Sequence, residues 1–326
     1  MRTFCVLLAS IVIVSAVFAG TITQTIDVPV PEVSSYDSFH KVTLGQAMNA
    51  GEIGSPNLPV WGVELALPPG EEAVSVRVET GEAISLGTGF NIEPVQRQYP
   101  LSYKGTITAD LPNPEIYENQ RLYPPKALES FRTDFYRGHS IASVALSPVK
   151  YNPVTGELVY YPHMEIIVTT ASTEKSSQAY RTMFRRDAAT IQEAERKVEN
   201  PSGFFSYGGI QPGTDNPDYD ILLITGGGLD TSWNTWLDWK ARCGYAVAVE
   251  NVDAIYNSYT GRDNQEKIRN CVIDYYNNHN IDYVLLGGDT EIVPHRGFFN
   301  SVSIYSDTDI PADLYYSNLD GTWNND

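Results

Sequence analysis

Few groups in this chain of 326 residues are able to act as nucleophiles or to move protons near neutral pH: there are three cysteines and five histidines, against 40 Asp and Glu. A cysteine acts as nucleophile or metal ligand only as its thiolate, and histidine is the proton carrier near neutrality. Cys5 sits in an apolar N-terminal run, which leaves Cys243 and Cys271 in the remainder. Cys271 falls on the apolar face of an expected helix and Cys243 just ahead of Gly244, where another helix is expected to end. Both are therefore expected as small buried hydrophobes. His40, His139, His163, His279 and His295 show no H-E-x-x-H spacing, and the cysteines form no Cys-x-x-Cys pair, so no zinc site is indicated. His295 follows Pro294 near the carboxyl end of a strand, but a lone loop histidine is more often solvated. There is no G-x-S-x-G elbow for a serine hydrolase. Gly226-Gly227-Gly228 lacks the G-x-G-x-x-G spacing and any following Gly-Lys-Ser/Thr, so it is expected to make a tight strand-to-helix turn rather than a phosphate loop. Asp307, Asp309, Asp313, Asp320 and Asp326 crowd one stretch that offers hard oxygen ligands. An EF-hand register would place Pro311 at its fifth position, so these residues are weak calcium candidates only, for a structural ion.

The elements that must position these groups fall into two patterns. From about residue 21 to 171, short alternating runs are broken by Pro and Gly, as in antiparallel strands of a β-sandwich. Val74, Val76 and Val78 alternate with Ser75, Arg77 and Glu79, which predicts a strand with one buried face. Asn152-Pro153-Val154-Thr155-Gly156-Glu157 separates two strand-like runs as a hairpin connection would. From Tyr219 the order becomes βαβαβ: DILLIT, a helix capped by Asp230 or Thr231 and carrying Trp233, Trp236 and Leu237, then AVAVE, a helix opened by an Asp263/Glu266 capping box, then DYVLLGGD. That order predicts a mainly parallel sheet with right-handed crossovers, whose ligands bind beyond the carboxyl ends of the strands. Between the two patterns lies a polar, helix-compatible connection containing Arg185-Arg186 and Arg196-Lys197. Basic pairs in such a connection are candidate processing sites.

Charge and the N-terminus bound the partners. The formal net charge is −18, and residues 219–326 alone carry 6 basic and 16 acidic side chains, which argues against a phosphate-binding surface and so against nucleic acid. MRTFCVLLASIVIVSAVFAG has a charged start, an apolar run and small residues before Gly20, the order of a secretory signal peptide cleaved between Ala19 and Gly20. No later segment is apolar for the about 20 residues that a spanning helix needs. The expected location is extracellular or at the cell surface.

The segment from Tyr219 onward resembles the opening half of the gingipain-type peptidase domain. Its hallmark is a strand ending in Leu-Leu-x-Gly-Asp followed by Ile-x-Pro, here Leu285-Leu286-Gly287-Gly288-Asp289 and Ile292-Val293-Pro294. Trp239-Lys240 with Gly244, and the acidic and aromatic run from Asp313 to Gly321, add to the likeness. Upstream, Gly54-Ser55-Pro56-Asn57-Leu58-Pro59, Leu67-Pro68-Pro69-Gly70, Tyr136-Arg137-Gly138 and Val149-Lys150-Tyr151-Asn152-Pro153 are similar to the propeptide of the same family. The resemblance implies a signal peptide at 1–19, a β-sandwich-like propeptide at 20–175, a linker with basic processing sites at 176–218, and an incomplete, caspase-like α/β peptidase segment at 219–326. Asp289, Pro294 and Asp313 belong to the family motifs with no role assigned. The family's Gly-His-Gly histidine and its later cysteine are not found before Asp326, so the resemblance implies no catalytic residue in this chain. It implies a cysteine endopeptidase zymogen seen in part, with protein or peptide substrates, a contact between propeptide and peptidase domain, and no required cofactor. The alternative is a non-catalytic surface or adhesion protein that keeps the scaffold.

Overall fold

The computed structural model describes residues 20–208, 218–302, 305–321 and 323, so the signal-peptide reading, Ala19 and Asp326 lie outside it. The N-terminal part is built from antiparallel strands. β1 (Gly20–Asp27) and β6 (Glu71–Thr80) flank β12 (His163–Ser172) in one sheet, and β4 (Met48–Ala50), β5 (Leu58–Ala66), β9 (His139–Leu146) and β8 (Leu128–Tyr136) form a second in that order. β7 (Ile84–Gly87), β10 (Val149–Asn152) and β11 (Glu157–Tyr160) make a third, while β2 (Glu32–Tyr36) and β3 (Phe39–Thr43) pair as a hairpin. Met164, Ile166 and Val168 of β12 alternate inward and meet Val63, Leu65, Val144 and Leu146 from the second sheet in one core. That period of two is the sandwich signal written in the sequence.

The expected hairpin over residues 152–157 is present. Asn152 Oδ1 accepts from the amides of Val154 and Thr155, and Gly156 takes a φ of +66°. The valine alternation holds only in part. Val76 and Val78 pack on the core, but Val74 is 48% exposed. The register of β12 against β6 steps from Thr169 opposite Ser75 to Thr170 opposite Ala73, so Val74 is the extra residue of a β-bulge and turns outward.

Through residue 208 the connection is folded. After α1 (Pro114–Tyr117), a single turn, come α2 (Glu174–Met183), α3 (Ala188–Arg196) and a 3-10 segment, Pro201–Tyr207. Thr173 and Ser176 cap α2 reciprocally, and the Asp187 side chain caps α3. This layer lies on the sandwich: Ala194, Phe204 and Tyr207 bury against Ala66 and Ile141, and the Asn200 side chain pairs with both the amide and the carbonyl of Ala66.

In the C-terminal part, β13 (Ile221–Thr225) is buried along its whole length between β14 (Val247–Asn251) and β15 (Tyr283–Gly287), both parallel to it. The crossovers carry α4 (Asn234–Arg242), α5 (Val252–Ser258) and α6 (Asn264–His279). Ile268, Cys271 and Val272 of α6 bury with Leu222, Ile224 and Ile255 in a second core. Asp263 accepts from the Glu266 amide at 2.9 Å, one arm of the expected capping box; the other arm is missing, because the Glu266 carboxylate accepts from the Arg262 amide and not from that of Asp263. The other expected cap fails: a 3-10 turn at Asp230–Trp233 precedes α4, and neither turn nor helix has a side-chain cap. Asp230 instead accepts from the Asn251 amide side chain and ties this turn to the end of β14. β16 (Arg296–Val302) and β17 (Tyr305–Ala312) form an antiparallel hairpin that the acidic composition of 305–312 concealed, and α7 (Leu314–Ser317) follows.

Candidate functional site

At the carboxyl edge of the parallel sheet the glycines serve packing. Gly227 and Gly228 have φ of +59° and +83°, so the triple glycine is the tight turn expected of it. A Cβ on Gly288 would come within 2.8 Å of Ile292, and one on Gly287 within 2.7 Å of Trp233. The Leu-Leu-Gly-Gly-Asp and Ile-Val-Pro motifs are thus two halves of one close contact. Asp289 is exposed, and its carboxylate accepts from the Thr290 amide while its carbonyl accepts from Ile292 and Val293. The Pro294 carbonyl accepts the Tyr316 hydroxyl. Asp313 is exposed, and its carbonyl accepts from Tyr316 and Ser317 at the start of α7.

The acidic and aromatic run is held by arginines. Arg269 is buried, and its guanidinium donates to the carbonyls of Tyr315, Asn318 and Gly321. Burial lowers its pKa from the ordinary value. Arg296 pairs with both Asp263 oxygens and stacks 4.5 Å from the Tyr315 ring centre. Asp309 faces His295 at 3.2 Å, and Asp307 accepts from the Asp309 amide. Asp320 is exposed, and its charge favours the buried Arg269 guanidinium. Among the described residues no three His, Cys, Asp or Glu side chains converge as metal ligands.

The cysteines differ. Cys271 is buried as expected, and burial pushes its pKa up to about 12. Cys243 is exposed, a correction to the expectation, because it caps the open C-terminus of α4, a helix that buries none of its residues. Among the described residues no histidine hydrogen-bonds to either thiol. Among these residues no nucleophile–base pair is assembled.

The candidate processing residues split between two settings. Arg196 and Lys197, at the end of α3, are exposed. Arg185 and Arg186 lie in the turn between α2 and α3, and the Arg185 side chain is only 10% exposed. It crosses to the C-terminal part, where its guanidinium lies 3.8 Å from the Tyr276 ring centre and donates to the carbonyls of Tyr276 and Ile281 at 3.0 and 2.9 Å and to Asp282 at 3.1 Å. Arg137 reaches the same Asp282 oxygen at 2.8 Å and Thr190 at 2.9 Å. The Tyr276 hydroxyl donates to the Met183 carbonyl. Arg137 and Gly138 both have positive φ, the geometry of a two-residue hairpin turn, and this aims Arg137 across the interface. The signal for that turn was in Tyr136-Arg137-Gly138. The roles of Tyr276 and Asp282 had no local signal, since both depend on a partner about 90 residues upstream. The two parts do not fill the space between them: a cavity of about 500 Å³ remains, lined by Phe135, Arg137, Tyr276, Leu285, Asp313 and Leu319 among others.

A β-rich antiparallel unit is followed by a parallel α/β segment, and a helical connection carrying two basic pairs joins them. Residues 23–197 match the sequence model of the C25 propeptide and residues 214–326 that of peptidase family C25. The chain belongs to the C25 cysteine peptidase family, the gingipains, and carries the propeptide and part of the peptidase domain. Lys-gingipain of Porphyromonas gingivalis (strain ATCC 33277) is 24% identical over 298 residues, an alignment covering 88% of this chain and 16% of that protein. Lys-gingipain W83 of the same species gives the same figures. The chain therefore spans 16% of the length of the curated relatives it matches. Among solved structures, the complex of P. gingivalis RgpB pro- and mature domains is similar at 16% identity and a TM-score of 0.43, covering 56% of this chain and 92% of that one. The structure of gingipain K from P. gingivalis, described for its zymogenic latency, gives 19% identity, a TM-score of 0.38, and coverage of 47% and 88%.

Proposed function

We propose that this chain is the front portion of an exported cysteine endopeptidase zymogen, in which the β-rich unit docks on the peptidase domain and restrains it until the linker is cut. The observation that carries this reading is the polar contact of Arg137, Arg185 and Met183 with Tyr276 and Asp282, which joins the propeptide to the peptidase segment without filling the gap between them. An interface that is polar and incompletely packed is one that can release. The chemistry proposed for the whole enzyme is nucleophilic. A cysteine thiolate attacks the peptide carbonyl, a histidine protonates the leaving amine, and backbone amides hold the oxyanion, with no cofactor needed. In this proposal the histidine and cysteine lie beyond residue 326; burial pushes the pKa of the Cys271 thiol up to about 12, and among the described residues no histidine hydrogen-bonds to Cys243.

This reading is tested on the purified 326-residue chain with fluorogenic Arg and Lys peptides, which it should leave uncut. Thiol-dependent turnover that disappears on substituting Cys243 or Cys271 would overturn the assignment. Read in the genome, an open frame after codon 326 encoding Gly-His-Gly and a later cysteine supports the enzyme, and an immediate stop in independent assemblies supports a non-catalytic surface protein. Export is tested by N-terminal sequencing of secreted material, expected to begin at Gly20; a start at Met1 would contradict it.

A further inference from the structure

The end of α6 is built to receive a guanidinium. The last carbonyls of a helix lack partners within it and carry the negative end of its dipole. Here the Tyr276 carbonyl, in the last turn, and the Ile281 carbonyl just beyond it point at one place, and Asn280 takes a left-handed φ of +57° to turn the chain around it. The Tyr276 ring supplies a flat face and Asp282 a carboxylate. A planar cation with donors in a fixed fork satisfies all of these together, as the shorter, rotating ammonium of lysine does not.

We propose that this is a recognition site for an arginine side chain, filled in cis by Arg185, and that its occupancy shields the Arg185-Arg186 bond so that the exposed Arg196-Lys197 pair is cut first. A trypsin-like protease must draw the arginine before the scissile bond into its own pocket, and Arg185 cannot enter one while it is held against Tyr276. Cutting at Arg185-Arg186 therefore follows opening of the site and reports the population of the open form. The inference rests on the pro-domain reading in treating the linker as a segment that is cut. Its test reads the order of cleavage and not peptidase activity, so the two can fail separately.

The experiment is a trypsin time course on the full chain, followed by intact-mass spectrometry. The unaltered chain should be cut after Arg196 or Lys197 well before it is cut after Arg185. Asp282→Asn removes the charge that Arg185 and Arg137 share and should speed cutting at Arg185-Arg186 about tenfold, since charge-assisted hydrogen bonds are the strong ones. The rate at Arg196-Lys197 should not change. Asp282→Glu, which restores the carboxylate, should restore the shielding, an effect that general loosening of the fold would not give. The proposal is overturned if both pairs are cut at equal rates in the unaltered chain, if Asp282→Asn leaves the order and rate unchanged, or if it accelerates both pairs alike.

Discussion

His139 shows how a single side chain can tie the connection to the sandwich. Its ring stacks 4.8 Å from Tyr207 and lies against Phe184 and Phe204, and its Nδ1 meets the Tyr136 carbonyl at 3.2 Å. Burial lowers its pKa below the ordinary 6.5, although the Tyr136 carbonyl and the charge of Asp187 favour protonation. Above pH about 6.5 the ring is neutral in the folded and unfolded chain alike. As the pH falls from there toward the lower folded value, the unfolded chain binds the proton first, so stability is lost. Thermal melting between pH 7.5 and 5.5 should fall more steeply for the unaltered protein than for His139→Phe, which keeps the aromatic contacts and cannot titrate; parallel curves would show that His139 does not contribute. No residue-level pattern announced this site. A histidine followed by Ser, Ile and Ala reads as an ordinary strand start, and its aromatic partners arrive 45 to 68 residues later. The thiols show the same limit. The helical face of Cys271 was legible, whereas the exposure of Cys243 depended on how little α4 buries.

At the scale of elements, local chemistry was legible wherever period and turn residues acted alone. The hairpin turn over residues 152–157, the glycine turn after β13, the Asp263 cap and the βαβαβ order could be read directly from the sequence, because each is fixed by neighbours within a few positions. The β16–β17 hairpin could not be, since Asp307 and Pro311 are poor strand formers held there opposite Asn300 and Gly297, and Asp309 falls where the register steps. The bulge in β6 is a sharper case: three alternating valines suggest one buried face, and a single extra residue turns Val74 out of it. Val74→Ala should therefore change stability by less than about 0.5 kcal/mol, as surface substitutions do. Ile166→Ala, in the fully buried centre of the facing strand, should cost about 2–5 kcal/mol. Urea unfolding of the two variants distinguishes them, and equal losses would mean that the step in register is wrong.

For the molecule as a whole, the propeptide matters by where it sits. A segment that binds the folded peptidase and not its unfolded chain stabilises it, so its release should bring activity and lower thermal stability together. The order of propeptide, connection and peptidase segment was legible because motifs in both halves pointed to one family. The resemblance implied a contact between them, but the residues that make it were not legible, for they are Arg137, Arg185, Tyr276 and Asp282 meeting across the fold. The most direct measurement takes the full-length precursor and its Arg196→Gln, Lys197→Gln variant, leaving Arg185 in its site. Each is assayed on peptide substrates before and after brief trypsin treatment that a serine-protease inhibitor then stops. The unaltered precursor should be silent until it is cut and the variant should stay silent at the same exposure. A precursor that cleaves peptides equally fast before and after the cut would contradict the restraint altogether.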